Sequence, residues 1–344
     1  MMKPSPPESK KGSCIQTTAS PLCPICSSEG DILYENLSDP HAQISGLWRI
    51  RNCRSCSIFW LDPRPTANEI PNLYDSYPTH RLPAETGGGG IFNNFKEGLR
   101  RGVFHRFHRY PQKKLRKLSF HVGWFLGSTG FYRRRFSRTI HWLNHKNGHC
   151  LLDVGCGNGS FLRRMKQLGW EVEGIEPDSR ACDVVSQALN VPVHNMPAEE
   201  MHKLQKQFDI ITLSHVIEHL VDPTFVLQSC FKLLFPGGIL SIITPNAGSR
   251  GHKLFGPAWR GLEVPRHLQL FTIESLSRLL EGAGFNLLWI RSSTVFDRNI
   301  YSESRHLKKK LTDEVQITLA PDNVAALIEG KRGEEIVACA QRPS

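Results

Sequence analysis

No apolar run in this sequence approaches the ~18–20 residues that a membrane-spanning helix needs. The opening stretch, MMKPSPPESKKGS, is polar and proline-rich and lacks the apolar segment of a secretory signal. These absences argue against a helical membrane protein and against a secreted one. The expectation is a cytoplasmic chain whose residues 1–20 form a disordered leader. Internal repeats are also missing. Acids are scarce in one place: between Lys96 and Arg138 stand thirteen Lys or Arg and a single acid, Glu97. The net charge is +11, and outside that stretch 30 basic residues face 31 acidic ones. The basicity is therefore local. What is present is 344 residues, 40% hydrophobic and 22% charged, which suits one α/β domain plus a smaller module.

The chain has ten cysteines, and in a reducing compartment they are not expected to pair as structural disulfides. Four of them form two C-x2-C pairs, Cys23 with Cys26 and Cys53 with Cys56, inside residues 21–66. Four thiolates are what a closed tetrahedral structural zinc site takes, with no position left open for water. The interval between the pairs is longer than usual zinc-ribbon spacing, but it has room for two short strands, ILYENL and GLWRIRN. So small a module buries too little to fold alone, and the metal would supply much of its stability. The alternative is four free thiols.

Residues 67–147 read as a basic helical connector. GGGG at 87–90 is a flexible break. After it Phe95, Leu99, Val103, Phe107 and Tyr110 recur at helical spacing, with Arg100, Arg101, Arg106 and Arg109 between them, and Pro111 ends the helix. A second basic segment, KKLRKL, then leads to GWFLGSTGFYRRRF. One reading is a basic amphipathic helix at 92–117 that meets anionic lipid at the inner face of the membrane, a phosphorylated substrate or nucleic acid. The other is a helix packed on its own domain by its aromatic stripe.

From His149 onward, short apolar runs (HCLLDVG, WEVEGIEP, VPVHN, FDIITLS, ILSIITPN, FNLLWIRSS and EEIVACAQR) read as strands. They alternate with helical stretches such as SFLRRMKQLG, SRACDVVSQALN, PTFVLQSCFKLLFPGG and TIESLSRLLEGAG. Such alternation predicts βαβ units and a mostly parallel sheet covered on both faces, within a domain spanning 148–344.

The most informative segment is LLDVGCGNGSFL (151–162), where an apolar strand runs into Gly155, Gly157 and Gly159 and a helix follows. Glycines there let the backbone turn tightly and a ligand approach it closely. Asp153 ends the strand, where a carboxylate suits a cationic ligand better than a pyrophosphate, and Glu176 ends the next strand, placed for ribose hydroxyls. DVGCGNG (153–159) resembles, at every fixed position, the D-x-G-x-G-x-G motif of the class I S-adenosylmethionine-dependent methyltransferases. The likeness continues through GIEPD (174–178), FDIITLSHVIEHLVDP (208–223), LLFPGGILSIITPN (233–246) and GAGF (282–285). The resemblance implies a Rossmann-like seven-stranded sheet with an antiparallel last strand. It places Asp153, Gly155 and Gly157 at the methionine end of the cofactor, with Cys156, Asn158 and Gly159 in the same loop. It also places Glu176 and Pro177 by the ribose, Met196 to Ala198 by the adenine, and Ser214 and His215 facing the cofactor.

The acceptor is less constrained. Methyl transfer from a sulfonium needs a nucleophile that is aligned and, if protonated, deprotonated. The loops after the fourth and fifth strands offer His267 as general base, His219 as second choice, and Glu218 beside them. Asn246, Trp259, Arg260 and Arg266 are expected to bind the acceptor, with the arginines holding a phosphate or carboxylate or pairing with Glu263. The segment 255–272 resembles the PRHL…FT stretch of bacterial methyltransferases of cell-surface sugar pathways, and the added Cys module resembles zinc-containing sugar C-methyltransferases. EHL resembles the ubiquinone-type O-methyltransferases, in which a Glu-x-x-Glu-His arrangement binds a divalent ion; here His215 stands first. The expected reaction is methylation of a sugar or lipid-linked cell-surface precursor. Alternatives are an rRNA or tRNA methyltransferase that uses the module and basic helix, and an O-methyltransferase of a quinone-type precursor. Against RNA, no [DN]-P-P-[YF] follows the fourth strand.

His215-x-x-Glu218-His219 also matches a zinc peptidase signature. Its context argues otherwise, because the string follows FDIITL and precedes Asp222-Pro223, a helix N-cap and first helical position.

Overall fold

The computed structural model describes residues 15–39, 44–74, 91–111, 118–295, 297–314 and 333–344. The GGGG break, most of KKLRKL and residues 1–14 lie outside them. In the N-terminal part, β1 (Thr17–Thr18), β2 (Gly30–Leu37), β3 (Trp48–Cys53), β4 (Phe59–Asp62) and β5 (Arg64–Pro65) surround the cysteine pairs. The predicted leader is too long at its end, since Thr17 pairs with Pro65 and the Ser20 amide donates to Asp62 Oδ1 at 2.9 Å. The connector forms α1 (Ile91–His108), α2 (Leu118–Leu126) and α3 (Gly130–Arg138).

The alternation that follows is as the sequence predicts. It comprises β6 (Cys150–Val154), α4 (Ser160–Gln167), β7 (Glu171–Glu176), α5 (Ser179–Leu189), β8 (Val193–Asn195), β9 (Phe208–Ser214), α6 (Pro223–Leu233) and β10 (Leu234–Pro245). Then come α7 (Arg250–Phe255), β11 (Gln269–Leu270), α8 (Ile273–Gly282), β12 (Asn286–Ser293), α9 (Asp297–Glu314) and β13 (Glu335–Gln341). The sequence reading does not include α7, β11 or α9, and α6 stops at Leu233, before the glycines, because Leu234 already pairs with Phe208 of β9.

Seven strands form one sheet in the order β12-β13-β10-β9-β6-β7-β8, with β13 antiparallel to both its neighbours and the remaining pairs parallel. The two-residue period of a strand sorts its side chains between the faces. Leu151, Ile210 and Ile239 point into a core shared with Val103, Phe104 and Tyr110 at α1 and with Phe136 of α3. Leu152, Ile211 and Leu240 point to the opposite core, with Val226 and Leu227 of α6 and Leu276 and Leu280 of α8. The aromatic stripe of α1 is therefore largely an internal contact. Tyr110 is buried, and its hydroxyl accepts from Trp170 Nε1 at 3.1 Å.

The small module is not separate from the large domain. β11, which belongs to the 255–272 segment, pairs antiparallel with β4 and extends the module's sheet to the order β11-β4-β3-β2. Arg64 adds bonds to Gln269 Oε1 and the Val221 carbonyl. Arg278 reaches the Ser55 carbonyl at 2.6 Å. Among the described residues, no helix is long and apolar enough to cross a membrane.

Candidate functional site

The loop after β6 has left-handed backbone at alternate residues: Gly155 (φ 70°), Gly157 (φ 51°) and Gly159 (φ 69°). A Cβ on Gly155 would meet Val216 at 2.6 Å, whereas one on Gly157 would meet nothing within 4 Å. Packing thus excludes a side chain at Gly155, and the open space beside Gly157 is where a ligand can approach the backbone. The Gly157 amide donates to Glu176 Oε2 at 2.8 Å, and the Asp178 amide to Glu176 Oε1 at 3.2 Å. The Asn195 side-chain amide holds the carbonyls of Glu176 and Pro177. Asp153 is buried and accepts from Thr212 Oγ1 at 2.6 Å. Burial pushes its carboxyl up to about 7, helped by the charge of Glu176 and opposed by the Thr212 bond. Cys156 is buried under the loop, the Asn158 side chain caps Ser160 at the start of α4, and Ala198 is buried at the end of the β8 loop.

β9 ends at Ser214, and His215 follows with a positive φ of 55°, an unusual backbone for a residue with a side chain. Its Nδ1 lies 3.2 Å from Glu218 Oε1 and its Nε2 3.0 Å from Glu335 Oε1, while Arg138 binds both Glu335 oxygens. Burial of the ring works against protonation, but the two carboxylates outweigh it and raise His215 to about 10. Glu218 and Glu335 are both held down to about 2: burial opposes this, and hydrogen bonds from His215, with Arg138 at Glu335, prevail. The imidazole keeps 41% side-chain exposure, so water screens part of this effect.

Beyond this cluster, Ile217–His219 is a single 3-10 turn, and Asp222 caps α6 through a bond from the Phe225 amide, with Pro223 in the first turn. No peptidase helix exists here. His219 Nδ1 lies 2.7 Å from Tyr74 Oη and 3.0 Å from the Arg266 carbonyl. His267 Nδ1 lies 2.8 Å from the Gly261 carbonyl. A carbonyl only accepts, so His267 carries a proton on Nδ1, and its Nε2 lies 3.6 Å from Glu263 Oε2; at His219 the Tyr74 hydroxyl can donate to Nδ1 or accept from it. The two rings stand 4.8 Å apart edge to face. Burial pushes His267 down to about 4, with His219 acting in the same direction and Glu263 and Glu218 opposing. It is therefore neutral near pH 7.

Ligand atoms of Glu218, His219 and His267 all lie within 4.8 Å of one another, a set able to hold a divalent ion. His215 is not in that set; its Nδ1 bonds Glu218 and its Nε2 Glu335. The four cysteines also converge, with Sγ separations of 3.6 Å (Cys23–Cys56 and Cys26–Cys56) and 3.4 Å (Cys26–Cys53). A zinc tetrahedron with ~2.3 Å bonds has edges of about 3.8 Å, so the donor set fits that ion. Each pair closes a matching turn: the Ser27 amide donates to the Cys23 carbonyl and the Ser57 amide to the Cys53 carbonyl.

Four residues expected to bind the acceptor do other work. Arg266 is 1% exposed; its guanidinium bonds Asp39 of the module and the Leu73 carbonyl. Trp259 is buried, stacks on His252 and donates to Glu334. Asn246 bonds the Gly333 carbonyl and the Gly248 amide. Arg260 pairs with Glu263 and Glu303. Sequence reasoning missed Tyr74, Asp39, Thr212, Arg138 and Glu335. The first two and the last two reach the site from more than seventy residues away, so no local pattern marks them.

A profile described as a methyltransferase domain matches residues 128–289. A ubiquinone biosynthesis O-methyltransferase of Aeromonas salmonicida (strain A449) is 30% identical over 162 residues, which cover 42% of this chain and 68% of that protein. The chain belongs to the methyltransferase family. A relative with the same description in Pseudomonas fluorescens (strain Pf0-1) is 30% identical over 122 residues, 33% of this chain and 53% of the relative. The methyltransferase chain thus spans about half the length of that curated relative. A solved S-adenosylmethionine-dependent methyltransferase of Mesorhizobium loti shares 16% identity over 61% of this chain and 98% of that one, with a TM-score of 0.43. The seven-stranded order and the acidic strand ends of the methyltransferase agree with an S-adenosylmethionine site at the glycine loop.

Proposed function

We propose that this methyltransferase moves a methyl group from S-adenosylmethionine to a hydroxyl of a small-molecule acceptor. The observation that carries the proposal is the pair of imidazoles beside Glu218, with His267 held through Nδ1 by the Gly261 carbonyl and its Nε2 turned towards Glu263. S-adenosylmethionine, when bound, supplies an activated methyl. Glu176, fixed by the Gly157 amide, would accept from the ribose hydroxyls, and the carboxylate of Asp153 would favour the cationic end. His267 Nε2 would take the acceptor proton as the oxygen attacks in line. Glu218 and Glu263 would stabilise the imidazolium that forms, their charges lying against the ring.

The relatives named as ubiquinone biosynthesis O-methyltransferases favour a quinone-type phenol as the acceptor over the sugar first expected from the sequence. In a second reading, favoured by the convergence of Glu218, His219 and His267, these residues hold a divalent ion that polarises the acceptor oxygen. The cysteine module would carry a structural zinc.

Calorimetry with S-adenosylmethionine and S-adenosylhomocysteine tests the first step, and binding of neither would refute the proposal. A mass-spectrometric screen of quinone precursors, nucleotide sugars, lipid-linked sugars and RNA for a gained methyl identifies the acceptor. His267→Asn should then abolish turnover and leave cofactor binding unchanged. Wild-type turnover that a chelator removes and a divalent ion restores would favour the divalent-ion reading, whereas turnover that survives chelation would favour the general base.

A further inference from the structure

α1 and α2 cross at very short range. A Cβ on Gly102 would meet the Phe120 carbonyl at 2.2 Å, and one on Gly123 the Leu99 carbonyl at 2.1 Å. Ser119, Phe120 and Gly123 line the buried side of α2. Among the described residues, nothing covers the other side of this short, apolar helix. Leu118 is 76% exposed and Phe125 72%, and their seven-residue separation sets them on one face. Phe131, 62% exposed, follows in the first turn of α3, and Trp124 adjoins Phe125.

Arginines frame these side chains. The Arg106 guanidinium lies 4.0 Å over the Trp124 ring and donates to the Trp124 carbonyl and Ser128 Oγ, bracing the α2–α3 turn. Arg133, Arg134 and Arg135 are exposed just after Phe131. No acid occurs between Gly98 and Arg138.

We propose that this α2–α3 face docks on an anionic lipid bilayer. Aromatic rings and a leucine gain by leaving water for the headgroup and acyl boundary, while guanidinium groups pair with lipid phosphates at the same depth. A second copy of the chain is a poorer occupant, because two faces rich in arginine and without acids repel. RNA would use the arginines and could stack on the rings, but it gives Leu118 no apolar contact. The surface differs from the basic helix expected at 92–117, since Val103 and Phe104 of α1 face inward and residues 112–117 lie outside the described residues. α3 joins the docking face to the site: Arg138, which binds Glu335 beside His215, stands seven residues after Phe131, about 10 Å along a helix. Docking would thus bring a lipid-soluble acceptor near the cofactor loop; the docking itself does not depend on the proposed reaction.

The test is co-sedimentation of the full chain with phosphatidylglycerol-containing vesicles and with pure phosphatidylcholine vesicles. Binding should require the anionic lipid and weaken with salt. Changing Arg133, Arg134 and Arg135 together to Gln should lower the partition coefficient on the order of a hundredfold, about fivefold per charge. Phe125→Ser with Phe131→Ser should lower it by about tenfold or more per ring. All these side chains are exposed, so both variants should melt like the wild type. Equal binding to neutral vesicles, no binding to either, or unchanged partition of both variants would overturn the proposal. So would concentration-dependent dimerisation, or retention on RNA without vesicle binding, if the same substitutions abolished it.

Discussion

Changing Asp39 to Ala should undock the cysteine module from the rest of the methyltransferase, and the cost follows from the surroundings of Arg266. That guanidinium is 1% exposed and lies 3.1 Å from Asp39 Oδ1 and 3.4 Å from Oδ2, with the Leu73 carbonyl on Nε. Removing the carboxylate leaves a buried cation without its counter-charge, which costs about 3–5 kcal/mol. The loss falls on the interface, so it should be read locally by native-state hydrogen exchange. Amides of the 259–271 segment and of β4 should lose about two to three and a half orders of magnitude of protection, the same energy converted at ~1.4 kcal/mol per factor of ten. Amides of β6 and β9 should keep theirs. Replacing both partners by apolar residues, Asp39→Leu with Arg266→Met, should recover much of the loss, because a satisfied apolar contact avoids desolvating two charges. Unchanged exchange in Asp39→Ala, or an equal loss across the central strands, would refute this account of the interface.

The His215 cluster predicts a pH dependence of stability. His215 is raised from 6.5 to about 10, so its contribution is complete below about pH 6.5 and fades as pH rises through 10. Glu218 and Glu335, lowered from 4.5 to about 2, contribute fully above about pH 4.5 and lose this as pH falls through 2. The gap in melting temperature between wild type and His215→Asn should be widest between those limits and shrink towards pH 10; a constant gap would contradict the ion cluster. Glu176→Ala should weaken S-adenosylmethionine binding by about tenfold to a hundredfold in calorimetry, the loss of a charge-assisted bond, and unaltered affinity would remove Glu176 from the ribose site. Chelation, or Cys53→Ser, should release one zinc per chain by mass spectrometry and raise exchange in β2–β4 and β11, while β6 and β7 stay protected. Zinc-free protein with unchanged exchange would leave the four cysteines as plain thiols.

The methyltransferase domain was legible because its signals are local. Apolar runs of strand length, glycines at alternate positions and Asp222-Pro223 each act through neighbours in sequence, and β6 to β10 fall where those signals put them. The peptidase-like string resolved the same way, from its flanks. The basic connector was ambiguous because a charge run does not say which face of a helix is covered. The buried partners of α1 include strand residues more than forty positions away, such as Leu151 and Ile210.

Sequence alone determined the domain, its glycine loop, the cysteine set and the acidic strand ends, since each depends on residue type at fixed short spacing. Tertiary structure alone decided what the polar residues of 255–272 do. Arg266 and Trp259 looked like ligands for a substrate, yet Asp39 and Glu334 claim them across more than seventy residues. It also decided that β11 completes the sheet of the module and that Tyr74, from the start of the connector, reaches His219. The physical reason is that a buried charge must find its partner wherever the fold supplies one, and sequence spacing carries no record of that meeting.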